Sequence, residues 1–381
     1  MISIINRPFW LSALENNWKK RPIVWLHGAR QVGKTSLAKM LDSYLYMNCD
    51  LPSVQRRLDD PEAFYQSIDF GKIIIFDEIH RLADPSLVLK IGADDYPDSK
   101  ILATGSSTLE ATSKFRDSLT GRKNSVHLPP VLWDECRKVF GINDLDHRLL
   151  YGGLPEMLLS DKRDLSFYAE WMDSFFARDI QALFNIRNRE GFIRLMHLLY
   201  RSSGNLIEYS QLAKLSGLTR PTVMTYLESL RIADNIYILP PYSGGGKKEI
   251  VSRPKCYAFD TGFVAFVRGW NDIRDEDRGI LWEHLALDLL RSEFPDKKIF
   301  YWRDKSSREI DFVIPQEDGR VDIYECKTNP ERISVTPIAV FRDSYPNGRN
   351  FCLSPTIKDD YTMNIQGFRI DFSASVKSHP I

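Results

Sequence analysis

Residues 28–35 read Gly-Ala-Arg-Gln-Val-Gly-Lys-Thr, which fits the G-x-x-x-x-G-K-S/T spacing of a phosphate-binding loop. In such a loop, Gly28 and Gly33 let backbone N–H groups approach phosphate oxygens at a helix N-terminus. Lys34 neutralises phosphate charge, and the hydroxyl of Thr35 ligates Mg²⁺. An apolar run precedes the loop and a helical stretch follows it, as this chemistry requires. The pattern therefore predicts nucleotide binding.

Two acidic residues, Asp77 and Glu78, end the apolar run 73–76, which is typical of a central parallel strand. Ligands bind at the carboxyl ends of such strands. We expect Asp77 to hold the metal through water and Glu78 to polarise the attacking water. The pair therefore predicts nucleotide hydrolysis, and the alternative is a solvated strand end with ordinary capping acids.

Two further polar residues are candidates for contact with the nucleotide. Ser106 follows the strand-like run 101–104, at the place where a sensor residue would read the γ-phosphate. Arg122 follows a Ser-Leu-Thr-Gly segment and could reach a phosphate in its own or a neighbouring subunit. The alternatives are a plain turn for Ser106 and a solvated surface arginine for Arg122.

A second set of charged residues lies in the last third of the chain. Glu283 falls on the apolar side of a predicted helix, where a carboxylate needs a partner or a metal. Strand periodicity places Asp311 opposite its apolar neighbours, and it places Glu325 and Lys327 on one shared face. The four side chains could form a metal site for phosphodiester hydrolysis, or they could neutralise one another in a buried salt-bridge cluster.

The elements that must position the first set occupy residues 1–135. Short aliphatic runs alternate there with helical stretches, which is the rhythm of a parallel sheet covered by helices on both faces. The sequence therefore predicts an α/β core, and its expected strands span 22–27, 44–49, 72–77, 100–104 and 125–128.

Strand signals disappear in residues 136–200, where we expect a helical subdomain with a long helix over 164–183. In residues 201–268, two short helices separated by a Ser-Gly turn predict a winged helix-turn-helix. We expect three side chains of its second helix and two lysines of its wing, a loop at 244–248, to contact DNA: Arg220, Thr222, Tyr226, Lys247 and Lys248.

The charge distribution agrees with a local DNA contact. Residues 181–260 carry eleven basic and six acidic side chains, whereas the whole chain is balanced at 51 of each. Winged helices also contact proteins, so a protein partner is the alternative. A charged joint over 268–277, expected to be exposed, leads into a last α/β domain over 275–381, with a helix at 280–291 and strands at 299–303, 309–314 and 321–327.

Length and composition indicate the number of domains, the compartment and whether the chain contacts a membrane. A chain of 381 residues exceeds what one core usually fills, so several domains are expected. The five cysteines form no C-x-x-C pair, which argues against a zinc ribbon and indicates a reducing compartment. No signal peptide or apolar run long enough to cross a bilayer is present, so we expect a cytoplasmic protein with no membrane contact.

Several motifs together carry a resemblance that spans nearly the whole chain. They are the loop at 28–35, Asp-Glu-Ile-His-Arg at 77–81, Ala-Thr-Gly-Ser-Ser at 103–107, the segment 118–122, Tyr-Gly-Gly-Leu-Pro at 151–155 and Phe-Ala-Arg-Asp-Ile at 176–180. This set resembles the prokaryotic AAA+ ATPases (AAA_14-like) that carry a C-terminal DUF4143 domain. The resemblance implies an AAA+ core with an added strand between the loop strand and the acidic-pair strand, a helical lid, and ATP with Mg²⁺ as ligands. AAA+ sites usually borrow an arginine from a neighbour, so a homo-oligomer is implied as well.

The set Glu283, Asp311, Glu325 and Lys327 resembles the PD-(D/E)XK nuclease fold, with Ile310 in place of the proline that names the motif. The resemblance implies a restriction-endonuclease-like α/β domain in which Asp311 and Glu325 bind Mg²⁺, Glu283 lies in or behind that shell, and Lys327 orients water. We therefore expect an AAA+ ATPase that acts on DNA, with ATP-regulated DNA cleavage as an added hypothesis. The alternative is an ATP-dependent switch or scaffold that binds a protein partner and carries an inactive nuclease-like domain.

Overall fold

The computed structural model describes residues 5–69, 71–105, 107–110, 112–184, 186–244 and 253–376. Ser106, Lys247 and Lys248, three of the residues expected to contact ligands, lie outside the described residues.

Five parallel strands form the first sheet, in the order β2-β3-β4-β1-β5. Their bounds lie within two residues of the predicted ones: β1 Ile23–His27, β2 Tyr44–Asn48, β3 Ile73–Asp77, β4 Ile101–Thr104 and β5 Lys123–His127. The added strand, β4, lies between the loop strand β1 and the acidic-pair strand β3. This order brings the carboxyl ends of β1, β3 and β4 together at one edge.

Helices cover both faces of this sheet because both faces are apolar. Along β1, Val24 and Leu26 pack in one core cluster while Trp25 packs in another, as strand alternation requires. The helices of this region are α1 Pro8–Trp18, α2 Lys34–Ala38, α3 Pro52–Leu58, α4 Pro61–Gln66, α5 Pro85–Asp95, α6 Ser107–Glu110 and α7 Ser113–Leu119.

A helical region follows the sheet, as expected. Its helices are α8 Trp133–Lys138, α9 Leu145–Tyr151, α10 Pro155–Leu158, α11 Leu165–Phe175, α12 Gln181–Phe184 and α13 Arg189–Arg201. The helix predicted over 164–183 is interrupted by a π-helical turn, Phe176–Ile180, between α11 and α12. Such turns widen the helix locally and often lie at functional sites.

Two helices and a short hairpin come next. They are α14 Tyr209–Ser216, α15 Arg220–Ile232, and the antiparallel strands β6 Ile236–Leu239 and β7 Lys255–Ala258, followed by α16 Thr261–Arg268. Thr219 caps α15, since its side chain accepts a hydrogen bond of 3.3 Å from the backbone N–H of Thr222.

The last region packs helices against a six-stranded mixed sheet, in the order β12-β13-β11-β10-β9-β8. Its elements are α17 Asp275–Glu293, β8 Phe300–Arg303, β9 Glu309–Pro315, β10 Val321–Cys326, α18 Val335–Ser344, β11 Asn350–Leu353, β12 Tyr361–Ile365 and β13 Phe368–Ser373. The helix and three strands expected here are all present, although α17 is longer than the predicted 280–291.

The prediction that the charged joint over 268–277 is exposed is wrong in one respect. Asp277, in the first turn of α17, is buried and forms ion pairs with Arg274 at 2.6 Å and Arg268 at 3.6 Å. The charges of the joint therefore neutralise one another across the junction. One apolar cluster also continues from α1 through the helical region to α17 and β11.

Two further expectations concern the redox state of the cysteines and contact with a membrane. All five cysteines are buried free thiols, so none forms a disulfide. Among the residues that the structure describes, no helix is both long and apolar enough to cross a membrane.

Candidate functional site

The phosphate-binding loop at residues 28–35, hereafter the phosphate loop, joins β1 to α2. Gly28 has φ +143°, and a Cβ there would lie 2.2 Å from the carbonyl oxygen of Leu128, so only glycine fits. Gly33 has φ +99° and is the N-cap residue of α2. Nζ of Lys34 donates to the carbonyl oxygens of Gly28 at 2.8 Å and Ala29 at 3.0 Å, which holds the ammonium over the loop.

Asp77 lies at the centre of a hydrogen-bond network at the edge where β1, β3 and β4 end. Its Oδ2 accepts from the hydroxyls of Thr35 at 2.9 Å and Tyr46 at 2.5 Å, and its Oδ1 accepts from Thr104 at 2.5 Å. The Asp77 side chain is buried. Thr35 and Asp77, predicted as metal ligands, are thus adjacent, and their oxygens are the donor type that Mg²⁺ prefers.

Glu78 is held in a strained backbone conformation beside this network. Its φ of +56° is rare for a non-glycine residue and is typical of functional sites. Its N–H donates to Thr104 Oγ1 at 3.1 Å, and its Oε2 lies 3.2 Å from Nδ1 of His80. Burial raises the pKa of Glu78, against the opposing charge of Lys34. Burial and Arg81 lower the pKa of His80 to about 4, so at neutral pH an uncharged imidazole faces Glu78.

A cavity of about 570 Å³ lies against the phosphate loop. Arg30, Arg81, Arg178 and Asp179 line it together with Lys34, and the sequence reasoning assigned no role to the first four. The π-helical turn carries Arg178 and Asp179, and the Phe-Ala-Arg-Asp-Ile motif was the signal that could have identified them. Oδ2 of Asp179 lies 3.8 Å from Nη1 of Arg30 and has no hydrogen-bond partner among the described residues.

The expectation that Arg122 reaches the phosphates of its own subunit is not met. Arg122 precedes β5, so it lies at the amino end of the parallel strands, whereas the phosphate loop lies at the carboxyl end. Its guanidinium donates to both carboxylate oxygens of Asp94, at 2.5 and 2.8 Å. A partly exposed ion pair therefore holds Arg122 at the end of the strands opposite to the phosphate loop.

The described residues of α15 that were expected to contact DNA differ in their exposure. Arg220 is exposed and Thr222 is half-buried at the start of α15, so both side chains are accessible. Tyr226 does not project, because its ring packs 5.3 Å from that of Phe192 and its hydroxyl accepts from Asn188 N–H at 3.4 Å. Tyr226 therefore belongs to the core, and its assignment to DNA contact is wrong.

The turn that follows α15 contacts the phosphate loop strand. Oδ2 of Asp234 lies 2.8 Å from Nδ1 of His27, the last residue of β1 and the neighbour of Gly28. Ala233 lines the cavity beside the loop. The segment that follows α15 and the candidate nucleotide site are therefore in direct contact.

The structure brings together all four C-terminal candidates. Nζ of Lys327 donates to Glu325 Oε2 at 2.7 Å and lies 3.5 Å from Asp311 Oδ2. Burial, Asp311 and Glu283 raise the pKa of Glu325, although Lys327 opposes them. Among the described residues, however, no three His, Cys, Asp or Glu side chains are arranged to hold a metal ion.

A lysine from outside the last domain enters this group. Nζ of Lys255, on β7, donates to Glu283 Oε1 at 3.0 Å and lies 2.6 Å from Glu309 Oε1. The hydroxyl of Tyr257, also on β7, donates to the same oxygen of Glu283. The sequence reasoning assigned no role to Lys255, Tyr257 or Glu309. With these contacts the group has the form of the salt-bridge cluster that the sequence left open as an alternative.

Family models match three successive parts of the chain. Residues 20–137 match an AAA domain (AAA_14), residues 142–274 match a domain of unknown function (DUF8612), and residues 278–368 match another (DUF4143). The chain thus contains an AAA domain followed by a DUF4143 domain. A P-loop ATPase domain of this kind implies ATP with a divalent metal.

Similar proteins include uncharacterised proteins of Mycobacterium tuberculosis and Mycobacterium bovis. Each is 26% identical over 375 residues, which cover 93% of this chain and 83% of the relative. Their names state no activity.

Among solved structures, the Walker-type ATPase PABY2304 of Pyrococcus abyssi overlaps with a TM-score of 0.43 at 16% identity, covering 69% of this chain and 96% of that one. DnaA of Aquifex aeolicus bound to AMPPCP gives a TM-score of 0.28 at 13% identity, covering 58% and 85%. At such scores the overlaps do not indicate a shared function.

Proposed function

We propose that this protein is an ATP hydrolase whose site lies in the cavity beside the phosphate loop. The observation that carries the proposal is the network that joins Thr35, Asp77 and Thr104 to Glu78, directly beside Lys34. These groups converge from α2, β3 and β4, so a nucleotide bound at the loop would meet all of them at its phosphate end. The AAA domain matched by residues 20–137 supports the same activity.

Each group has a distinct part in the proposed reaction. Backbone N–H groups of the loop and the ammonium of Lys34 bind the β- and γ-phosphates and offset their charge. Thr35 and Asp77 would hold Mg²⁺, which stabilises the charge that develops on the phosphate oxygens. Glu78 accepts a hydrogen bond from the attacking water and orients it, while Thr104 and His80 hold Glu78 in place.

Lys34→Ala is expected to lower ATP affinity by about 10- to 100-fold, because hydrogen bonds to charged groups contribute about 1.5 to 3 kcal/mol. Isothermal titration with ATP and Mg²⁺ measures the change. Lys39→Ala is the matched control, since Lys39 is exposed just after α2 and lies over the ring of Tyr46 instead of the loop. Unchanged binding by Lys34→Ala would contradict the assignment of the loop.

We further propose that α14 and α15 form the first part of a winged helix that contacts DNA through Arg220 and Thr222. The two helices followed by the β6–β7 hairpin support this arrangement, as does the excess of basic residues over 181–260. Phosphate contacts would supply most of the affinity, so binding should weaken steeply as salt rises.

Arg220→Ala is expected to reduce the slope of log affinity against log salt by about one, the value for one lost phosphate contact. Mobility-shift titrations with duplex DNA at several salt concentrations measure this slope. The control is Arg231→Ala at the other end of α15, because Arg231 donates to Glu228 at 2.8 Å and its charge is already balanced. Absence of retardation at low salt would contradict DNA binding.

The second candidate function is an ATP-dependent switch that presents the same helices to a protein partner. The observation in its favour is the pair of Asp234 and His27, which joins the turn after α15 to the strand that ends at the phosphate loop. A wild-type protein that hydrolyses ATP but does not retard DNA at low salt would favour the switch. A homo-oligomer is proposed with either function, and Arg122 would then act on a neighbouring copy.

A further inference from the structure

The cavity beside the phosphate loop is lined by four arginines: Arg7, Arg30, Arg81 and Arg178. Arg7 donates to both carboxylate oxygens of Glu135, at 2.7 and 2.8 Å. Nε of Arg81 lies 3.0 Å from Oδ1 of Asp50. The guanidinium groups of Arg30 and Arg178 form no hydrogen bond with any residue that the structure describes. A guanidinium carries several N–H donors that match phosphate oxygens, so these two arginines are available to an anion in the cavity.

Arg30 is the one of these two that belongs to the phosphate loop. It follows Ala29, whose carbonyl oxygen accepts a hydrogen bond of 3.0 Å from Nζ of Lys34. The Arg30 carbonyl oxygen accepts from Nε1 of Trp171 at 3.3 Å, which fixes the backbone at this position. Arg30 is half-buried, whereas Arg178 is exposed. Arg30 therefore holds a guanidinium with available donors close to the ammonium that would bind the β- and γ-phosphates.

Asp179 faces Arg30 from the π-helical turn. Its Oδ2 lies 3.8 Å from Nη1 of Arg30, too far for a hydrogen bond, and has no partner in the part of the chain that the structure describes. Burial raises the pKa of Asp179, and the charges of Arg30 and Lys34 act against this rise. The Asp179 carboxylate therefore lies among the positive charges that would surround a phosphate, and the two anions would compete for them.

Two further observations relate this pair to the γ-phosphate end of the cavity. Burial raises the pKa of Glu78, and the charge of Asp179 adds to this rise, so the two acids lie near each other. Glu78 is the residue proposed to orient the attacking water. The helical segment that carries Asp179 also binds the loop backbone through Trp171. Arg30 is therefore held between this segment and the place where the γ-phosphate would lie.

We infer that Arg30 binds the γ-phosphate and thereby favours ATP over ADP, and that Asp179 competes with the γ-phosphate for Arg30. Arg30 is thus a specificity-determining residue, and Asp179 is a positioning residue that acts through it. ADP lacks the γ-phosphate, so it would leave Arg30 beside Asp179. The inference rests on the proposed function, because it requires a nucleotide bound at the phosphate loop.

The test measures the affinities of the full chain for AMPPCP and for ADP, each with Mg²⁺, by isothermal titration. AMPPCP has a γ-phosphate but resists hydrolysis. Arg30→Gln is expected to lower AMPPCP affinity about 10- to 100-fold, the range for hydrogen bonds to a charged group, and to leave ADP affinity unchanged. Asp179→Asn is expected to raise AMPPCP affinity about 2- to 5-fold, and this gain should disappear when Arg30→Gln is also present.

An exposed ion pair provides the matched controls. Arg189 and Asp173 lie 2.9 Å apart and neither lines the cavity, so Arg189→Gln and Asp173→Asn should leave both affinities unchanged. A wild type that binds neither nucleotide would overturn the proposed function together with this inference. If the wild type binds both, the inference alone is overturned when Arg30→Gln keeps the wild-type ratio of AMPPCP to ADP affinity. It is also overturned when Asp179→Asn gives no gain, or gives the same gain beside Arg30→Gln.

Discussion

Glu78→Gln is expected to lower kcat for ATP hydrolysis by about 10²- to 10⁴-fold, the usual contribution of a positioned acid–base group. Glutamine keeps the size of the side chain but cannot accept a proton from the attacking water. The strained backbone and the contacts with Thr104 and His80 already fix Glu78 before any nucleotide arrives. ATP affinity should change little, because the proposed binding groups are the loop and Lys34.

Phosphate release under saturating ATP and an equilibrium binding titration separate these two effects. Glu62→Gln is the control, because Glu62 is exposed on α4 and hydrogen-bonds Gln66. A Glu78→Gln protein with wild-type kcat would remove Glu78 from the mechanism. Loss of ATP binding in the same variant would assign Glu78 to binding instead.

The second large effect concerns stability. Asp260→Ala is expected to lower the free energy of unfolding by about 3 to 5 kcal/mol, because it leaves the guanidinium of Arg148 buried without its counter-charge. Arg148 is fully buried, lies 3.8 Å from Asp260, and donates to the Val131 carbonyl oxygen at 2.9 Å and to Thr261 Oγ1 at 3.1 Å. Asp260 also accepts from the N–H of Gly153 at 2.6 Å.

Urea unfolding monitored by tryptophan fluorescence measures this loss. Asp296→Ala is the control, since Asp296 is exposed and its removal should cost less than about 0.5 kcal/mol. Equal unfolding midpoints for Asp260→Ala and wild type would contradict the structural role. The contact also explains the Tyr-Gly-Gly-Leu-Pro motif, because a Cβ on Gly152 would lie 2.0 Å from Asp260 Oδ1.

The first sheet could be predicted from sequence because local patterns specify it. Apolar runs such as 74–76 are buried on both faces of a parallel sheet, so they admit no polar residue until the strand ends at Asp77. The phosphate loop follows from glycine chemistry, as the φ of Gly28 shows. Thr35 and Asp77 then meet because parallel strands end at one edge.

Other features could not be predicted because they depend on distant contacts. Tyr226 fits the exposed face of an isolated α15, but Phe192 of α13 covers that face. The helix predicted over 164–183 gave no local signal for the π-helical turn that places Asp179 against the cavity.

The C-terminal candidates also depend in part on a distant contact. The residue types of Glu283, Asp311, Glu325 and Lys327 and their periodicity predicted that they would converge. The counter-charge from Lys255 depends on how the β6–β7 hairpin packs against the last domain, and this packing has no local pattern in the sequence.

The most direct test of the central claim is phosphate release from ATP by the purified full chain with Mg²⁺. The wild-type protein is expected to turn over ATP, whereas Lys34→Ala and Glu78→Gln should both fall close to the rate measured without protein. Lys39→Ala and Glu62→Gln should match wild type. Absence of turnover by the wild type, or equal turnover by wild type and Lys34→Ala, would contradict the assignment of ATP hydrolysis to the cavity beside the phosphate loop.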